Sequence, residues 1–227
     1  MDNKEKLVMR IEELLDEEID TDNVQDKVRV IHKAIRLSEE LVELAPKDGN
    51  SYYLLALSWY NFPHKSNVRS WHTSSNLLKA LQIDPNHQYA NQYLGYLYFD
   101  QDRLEEAKDR FDLTDHSFFQ RTGENWRSIK AKELSLVCEI RLDTNGFDEA
   151  KLDTFISEYL DEYAQDKTTA EWPTELKQCA EWLFENGVDI NNPLIFKIVT
   201  LSRDLGMTLW NRTLASYFGA KCQECRV

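Results

Sequence analysis

The residues of this chain that could do chemistry are few and scattered. Cys222 and Cys225 form a CxxC pair, a spacing that serves dithiol redox chemistry or supplies half of a zinc site. A zinc site needs four ligands, and no second close pair accompanies this one; a redox pair belongs at a helix start beside a strand. The pair is therefore read as part of a tail. Five histidines (His32, His64, His72, His87 and His116) are suited to proton transfer near neutral pH. None has the carboxylate spacing of a ligand or base, so surface or capping roles are expected. Carboxylates cluster at Glu12-Glu13, at Asp16-Glu17-Glu18, and at Glu158, Asp161 and Glu162. Paired carboxylates can cleave glycosidic bonds, but any acidic helix surface produces the same pairs. No glycine-rich phosphate-binding pattern occurs. Asn211-Arg212-Thr213 has the form of a glycosylation acceptor and nothing more. No catalytic residue, no metal site and no cofactor is expected, and the chain is read as non-enzymatic.

The elements that would position any site are helices. Glycine (7) and proline (5) are scarce in 227 residues, and both disfavour helix interiors. A hydrophobic fraction of 42% suffices for a sizeable core. Amphipathic spacing predicts helices at about 4–19, 24–45, 51–62, 68–82, 87–100, 103–118, 124–142, 148–164, 173–186, 193–205 and 207–218. Pro46, Pro63 and Pro85 close the second, third and fourth, and Thr144-Asn145-Gly146 closes the seventh. No segment alternates convincingly as a strand. The fold class expected is all-α, with about ten or eleven helices.

Net charge is −13, which opposes the basic stripe that nucleic acid requires and disfavours an anionic membrane surface. No run of about 18 apolar residues is long enough to span a membrane, and no basic-then-apolar leader opens the sequence. A cytoplasmic location with free thiols is expected. The charge is uneven: residues 1–46 carry −6 and residues 147–186 carry −8, whereas 187–227 carry +2. These acidic blocks could steer a basic partner or simply solvate helix surfaces.

Paired helices invite a search for a period. Leu55-Ala56 followed by Trp59 recurs as Leu94-Gly95 followed by Tyr98, at an offset of 39. Ala80-Leu81 with Asp84-Pro85 closes the first unit, and Ala107 and Phe111 stand four apart in the second helix of the next. Phe119 occupies the closing position 34 residues after Pro85. This pattern resembles the tetratricopeptide repeat family. Residues 88–119 match best, through Leu94, Gly95, Tyr98, Ala107 and Phe111. Residues 49–85 match through Tyr52, Leu55, Ala56, Trp59, Leu77, Ala80 and Pro85, with about five extra residues near 63–68. Residues 30–46 match through Ala34, Leu41 and Pro46, and residues 131–157 match more weakly. The chain departs from the pattern in having Phe119 for the closing proline and Asp102 for the usual turn glycine.

The resemblance implies a superhelical solenoid of antiparallel helix hairpins over residues 1–165. Residues 166–227, with a helix bearing Leu209, Trp210, Leu214, Tyr217 and Phe218, are expected to cap it by covering its last apolar face, or else to form a dimerisation surface. It also implies a binding module whose groove is lined by each unit's first helix. The residues carried over to that groove are Tyr53, Tyr60, Asn61, Tyr89, Gln92, Tyr96 and Phe99, beside Asn50 and Leu57. This aromatic, amide-rich set suits a peptide or protein partner, or else packs against another helix layer. Tyr53, Leu57 and Gln92 stand where a carboxylate clamp would need Lys and Asn, so that mode is not expected. A second reading is an immunity or antitoxin-like inhibitor that neutralises a basic toxin through its acidic surfaces.

Overall fold

A computed structural model of the chain describes residues 2–64, 66–165 and 173–205. The expected helix at 207–218, the Cys222–Cys225 pair and the Asn211 acceptor lie outside the described residues. Those residues form eleven α-helices and no strand: α1 (Asn3–Ile19), α2 (Val24–Leu44), α3 (Gly49–Tyr60), α4 (Asn67–Ile83), α5 (Gln88–Asp100), α6 (Leu104–Phe111), α7 (His116–Arg121), α8 (Asn125–Leu142), α9 (Glu149–Gln165), α10 (Thr174–Glu185) and α11 (Pro193–Asp204). The all-helical class and the number of elements agree with the sequence. The elements themselves differ, because the helix expected at 103–118 is two helices. Asp115 accepts hydrogen bonds from the backbone N–H of Ser117 and Phe118 and starts α7 afresh. A local N-cap thus interrupts an apolar spacing that would otherwise run on.

Backbone contacts divide the chain into two compact units, Met1–Thr114 and Asp115–Val227. The sequence placed its boundary near 165. In the fold, α10 packs on α8 and α11 on α9, so the residues on both sides of 166–172 belong to one unit. Phe119, read from the sequence as a turn-closing residue, is instead a fully buried side chain of α7.

In the first unit each helix packs on the next, from α1 through α6. Most ends are fixed by side-chain caps: Asp2 and Glu5 make a reciprocal capping box on α1, Asn23 caps α2, Asp48 caps α3 and Ser66 caps α4. The Ser58 hydroxyl donates to the Leu54 carbonyl at 2.9 Å, so Ser38 is left to donate to Ser58 at 3.1 Å. This buried pair links α2 to α3 with its polar atoms satisfied. At Asp102 the backbone enters the left-handed region, φ 61°, which reverses the chain between α5 and α6 where glycine is the usual solution.

Close approach governs the second hairpin of this stretch. A Cβ built on Gly95 would fall 2.7–3.0 Å from the Phe111 ring. Phe111 is itself buried, between α5 and α6. Replacing Gly95 with Ala gains up to about 1 kcal/mol of helix propensity. The resulting overlap costs about 1–3 kcal/mol. A net loss is expected as a lower urea midpoint, recovered when Phe111→Leu is added. At position 102, Asp102→Val should lose about 1–2 kcal/mol, whereas Asp102→Gly should hold the midpoint or raise it.

Candidate partner-binding face

The first helices of successive hairpins bring a series of rings together. Tyr53 on α3 stacks on Tyr89 of α5 at 5.7 Å between centroids and lies 5.9 Å from Tyr93. Tyr60, two turns further along α3, meets Tyr93 edge-on at 5.1 Å. Tyr93 meets Tyr96 at 5.7 Å, and Tyr96 leans on Phe111 at 5.6 Å. Helical spacing explains the series: residues 89, 93 and 96 stand at i, i+4 and i+7 on one face of α5. Offset and edge-to-face contacts of this kind add about 0.5–1.5 kcal/mol per pair beyond burial.

Electrostatics mark two points on this face. Burial pushes the Tyr60 phenol up to about 12, with Asp100 and Tyr93 adding to the shift and Arg69 opposing it. The Arg69 guanidinium sits 5.2 Å above the Tyr60 ring, a cation–π contact. At the start of α5, His87 Nδ1 accepts the Ala90 N–H at 3.2 Å, which makes it the helix N-cap. Burial lowers its pKa, so the neutral acceptor form is favoured.

The residues expected to line a groove divide in two. Tyr60, Asn61, Tyr89, Tyr96 and Phe99 are half-buried and share the α3–α5 face or its end. Tyr53 is only 7% exposed and Gln92 not at all. These two belong to the packing between helices, and Tyr53 alone keeps a small exposed edge. Depth along a helical stripe depends on the neighbouring hairpin, which spacing alone does not reveal. Sequence reasoning missed Tyr93, the half-buried ring that touches Tyr53, Tyr60 and Tyr96; the 89–93–96 stripe was the signal for it.

The other histidines join side-chain clusters. His72 stacks flat on Trp59 at 4.1 Å, and His32 and His64 meet Phe62 at 5.3 and 6.0 Å. His116 pairs with Ser128. Among the described residues no group of three or more His, Cys, Asp or Glu could hold a metal ion. Cys138 and Cys179 are buried, and burial pushes the Cys179 thiol up to about 12, far from a reactive thiolate.

The second unit holds a buried carboxylate that the sequence did not single out. Glu133, on α8, is 2% exposed. Its carboxylate accepts the backbone N–H groups of Glu175 and Leu176, each at 2.9 Å, and Lys130 lies 2.9 Å away. Lys130 also bridges to Glu175. Pro173 gives α10 no side-chain cap, so Glu133 satisfies the first turn of α10 from another helix. Burial raises its pKa to about 7, against the opposing pull of Lys130 and the Leu176 N–H. Burial alone would lower Lys130, but Glu133 and Glu175 hold it above its ordinary value, so it stays charged.

No family model matches the chain, and no curated protein matches it.

Because the Glu133 pKa is higher in the folded state, protonation favours folding. This contribution is complete below about pH 4.5, falls as the unfolded carboxyl ionises, and is gone above about 7. Glu133→Gln keeps an acceptor for both N–H groups and removes the titration. Urea midpoints of the wild type should fall relative to those of Glu133→Gln between pH 5 and 7.5; parallel curves would contradict this account.

Proposed function

We propose that the chain is a non-enzymatic protein–protein interaction module of the tetratricopeptide-repeat type. It would hold a peptide or a protein segment on the face formed by α3 and α5. The observation that carries the reading is the ring series from Tyr53 to Tyr96. Its inner member, Tyr53, is buried, and Tyr60, Asn61, Tyr89, Tyr93, Tyr96 and Phe99 are left half-exposed beside it. A tyrosine face of this kind offers large contact area with few rotors to freeze, and each phenol adds one hydrogen bond. The stacked hairpins of the first unit and the small residues buried inside it support the repeat reading. The chain's overall charge of −13 favours a segment with basic residues.

Selection of a displayed random-peptide library on the immobilised protein tests the proposal. Peptides enriched in basic and aromatic residues should emerge. Tyr89→Ala combined with Phe99→Ala should weaken them at least about tenfold, the loss typical of central aromatic contacts. Circular dichroism should show unchanged helix content. Selected peptides that bind this double variant as they bind the wild type would remove the α3–α5 face from the proposal.

A further inference from the structure

The α3–α4 hairpin differs in charge from the rest of the chain. The sequence carries 40 carboxylates in 227 residues, about one in every six, yet from Gly49 through Ile83 there is none. The charged residues in that stretch are Lys65, Arg69 and Lys79. Many cations elsewhere are neutralised in place, as Lys27 is by Glu18, Lys132 by Glu158 and Lys151 by Glu139. Arg69 lies on the Tyr60 ring and Lys79 donates to Gln82 at 3.0 Å. Among the described residues neither forms an ion pair with a carboxylate.

The outward side of α4 also carries an apolar stripe. Val68, Trp71 and Leu78 are 59%, 64% and 46% exposed, with exposed Ser75 between them. They stand at i, i+3, i+7 and i+10, one line along a helix surface. The opposite side, with Thr73, Leu77, Ala80 and Leu81, is buried, so the stripe is not needed for the core. Trp71 is held in place: it meets His72 edge-on at 4.8 Å, and His72 stacks on Trp59. An exposed indole fixed by its neighbours is a preorganised anchor, since little freedom remains to be lost on binding.

We propose that the outer face of α4 is a second docking surface, taken by an acidic amphipathic helix of a partner protein. Apolar side chains of that helix, one or two turns apart, would cover Val68, Trp71 and Leu78, and its carboxylates would meet Arg69 and Lys79. Helix-on-helix recognition reads such apolar spacings, and α4, which carries Arg69 and Lys79 and no carboxylate, sets the sign of the partner's charge. This surface shares Arg69, which lies on Tyr60, with the α3–α5 face and is otherwise separate from it.

The test uses the full chain and a fluorescently labelled helical peptide of Leu, Ala and Glu, matched to the 17 residues of α4, with Leu at i, i+3, i+7 and i+10. Fluorescence anisotropy should show saturable binding that weakens at least about fivefold between low and high salt. Trp71→Ala and Lys79→Glu should each weaken it at least about tenfold, with unchanged circular dichroism, since both side chains are exposed. Tyr89→Ala with Phe99→Ala should leave it unchanged. Three results would overturn the proposal: no saturation up to about millimolar peptide, equal binding by the peptide with Lys in place of Glu, or no effect of Trp71→Ala. Sedimentation of the wild type supplies a fourth: a dimer that Trp71→Ala dissociates makes the occupant a second copy of this chain.

Discussion

A helix hairpin in the first unit buries its apolar stripe only by letting the backbone of a neighbouring helix come close. The points of closest approach are held by residues with almost no side chain. Ala34, Ala56, Ala80, Ala90 and Ala107 are wholly buried, and at Gly95 even a methyl group would overlap the Phe111 ring. A Cβ at Gly49 would similarly lie 3.1 Å from the Ala80 carbonyl. The larger side chains of the same pattern, Leu55, Leu77, Leu94 and Phe111, are buried with them. Across α3 and α5, Tyr53 stacks on Tyr89 and tilts against Tyr93.

The sequence showed this constraint clearly. Leu94-Gly95-Tyr98 with Ala107 and Phe111 carries the small and large residues of a close helix crossing, and Asp102 stands at a turn where glycine is usual. Helix ends were legible where a local residue decides them, as at Pro46, Pro63 and Pro85. The break before α7 was not legible: the apolar spacing continues through Phe118 and Phe119, while a single aspartate decides the backbone. The burial of Tyr53 and Gln92 was also hidden, because it depends on how deeply a neighbouring hairpin sits. Glu133 was the least accessible of all. Its partners are amides more than forty residues away, and in the sequence it is one more acidic residue on an acidic chain.

The two units solve the problem of interior polarity differently. The first keeps its interior nearly free of charge, admitting small satisfied groups such as Ser38 and Ser58. Its aromatic and histidine rings supply directional contacts without a buried carboxylate among its described residues. The second places a carboxylate inside, against a lysine and a helix start. Replacing such an arrangement with apolar residues need not reduce stability, whereas removing one partner leaves a buried charge uncompensated.

The junction of Glu133 with α10 ties a local event to a distant one. A twelve-residue helix preceded by Pro173 and lacking its own side-chain cap is close to the length at which isolated helices are marginal in water. Its first turn is completed only when α8 delivers the carboxylate. Order in α10 is therefore coupled to order in α8, which joins the two helices into one cooperative element. The backbone amides of Glu175 and Leu176 would exchange with solvent deuterons only when that element opens as a whole.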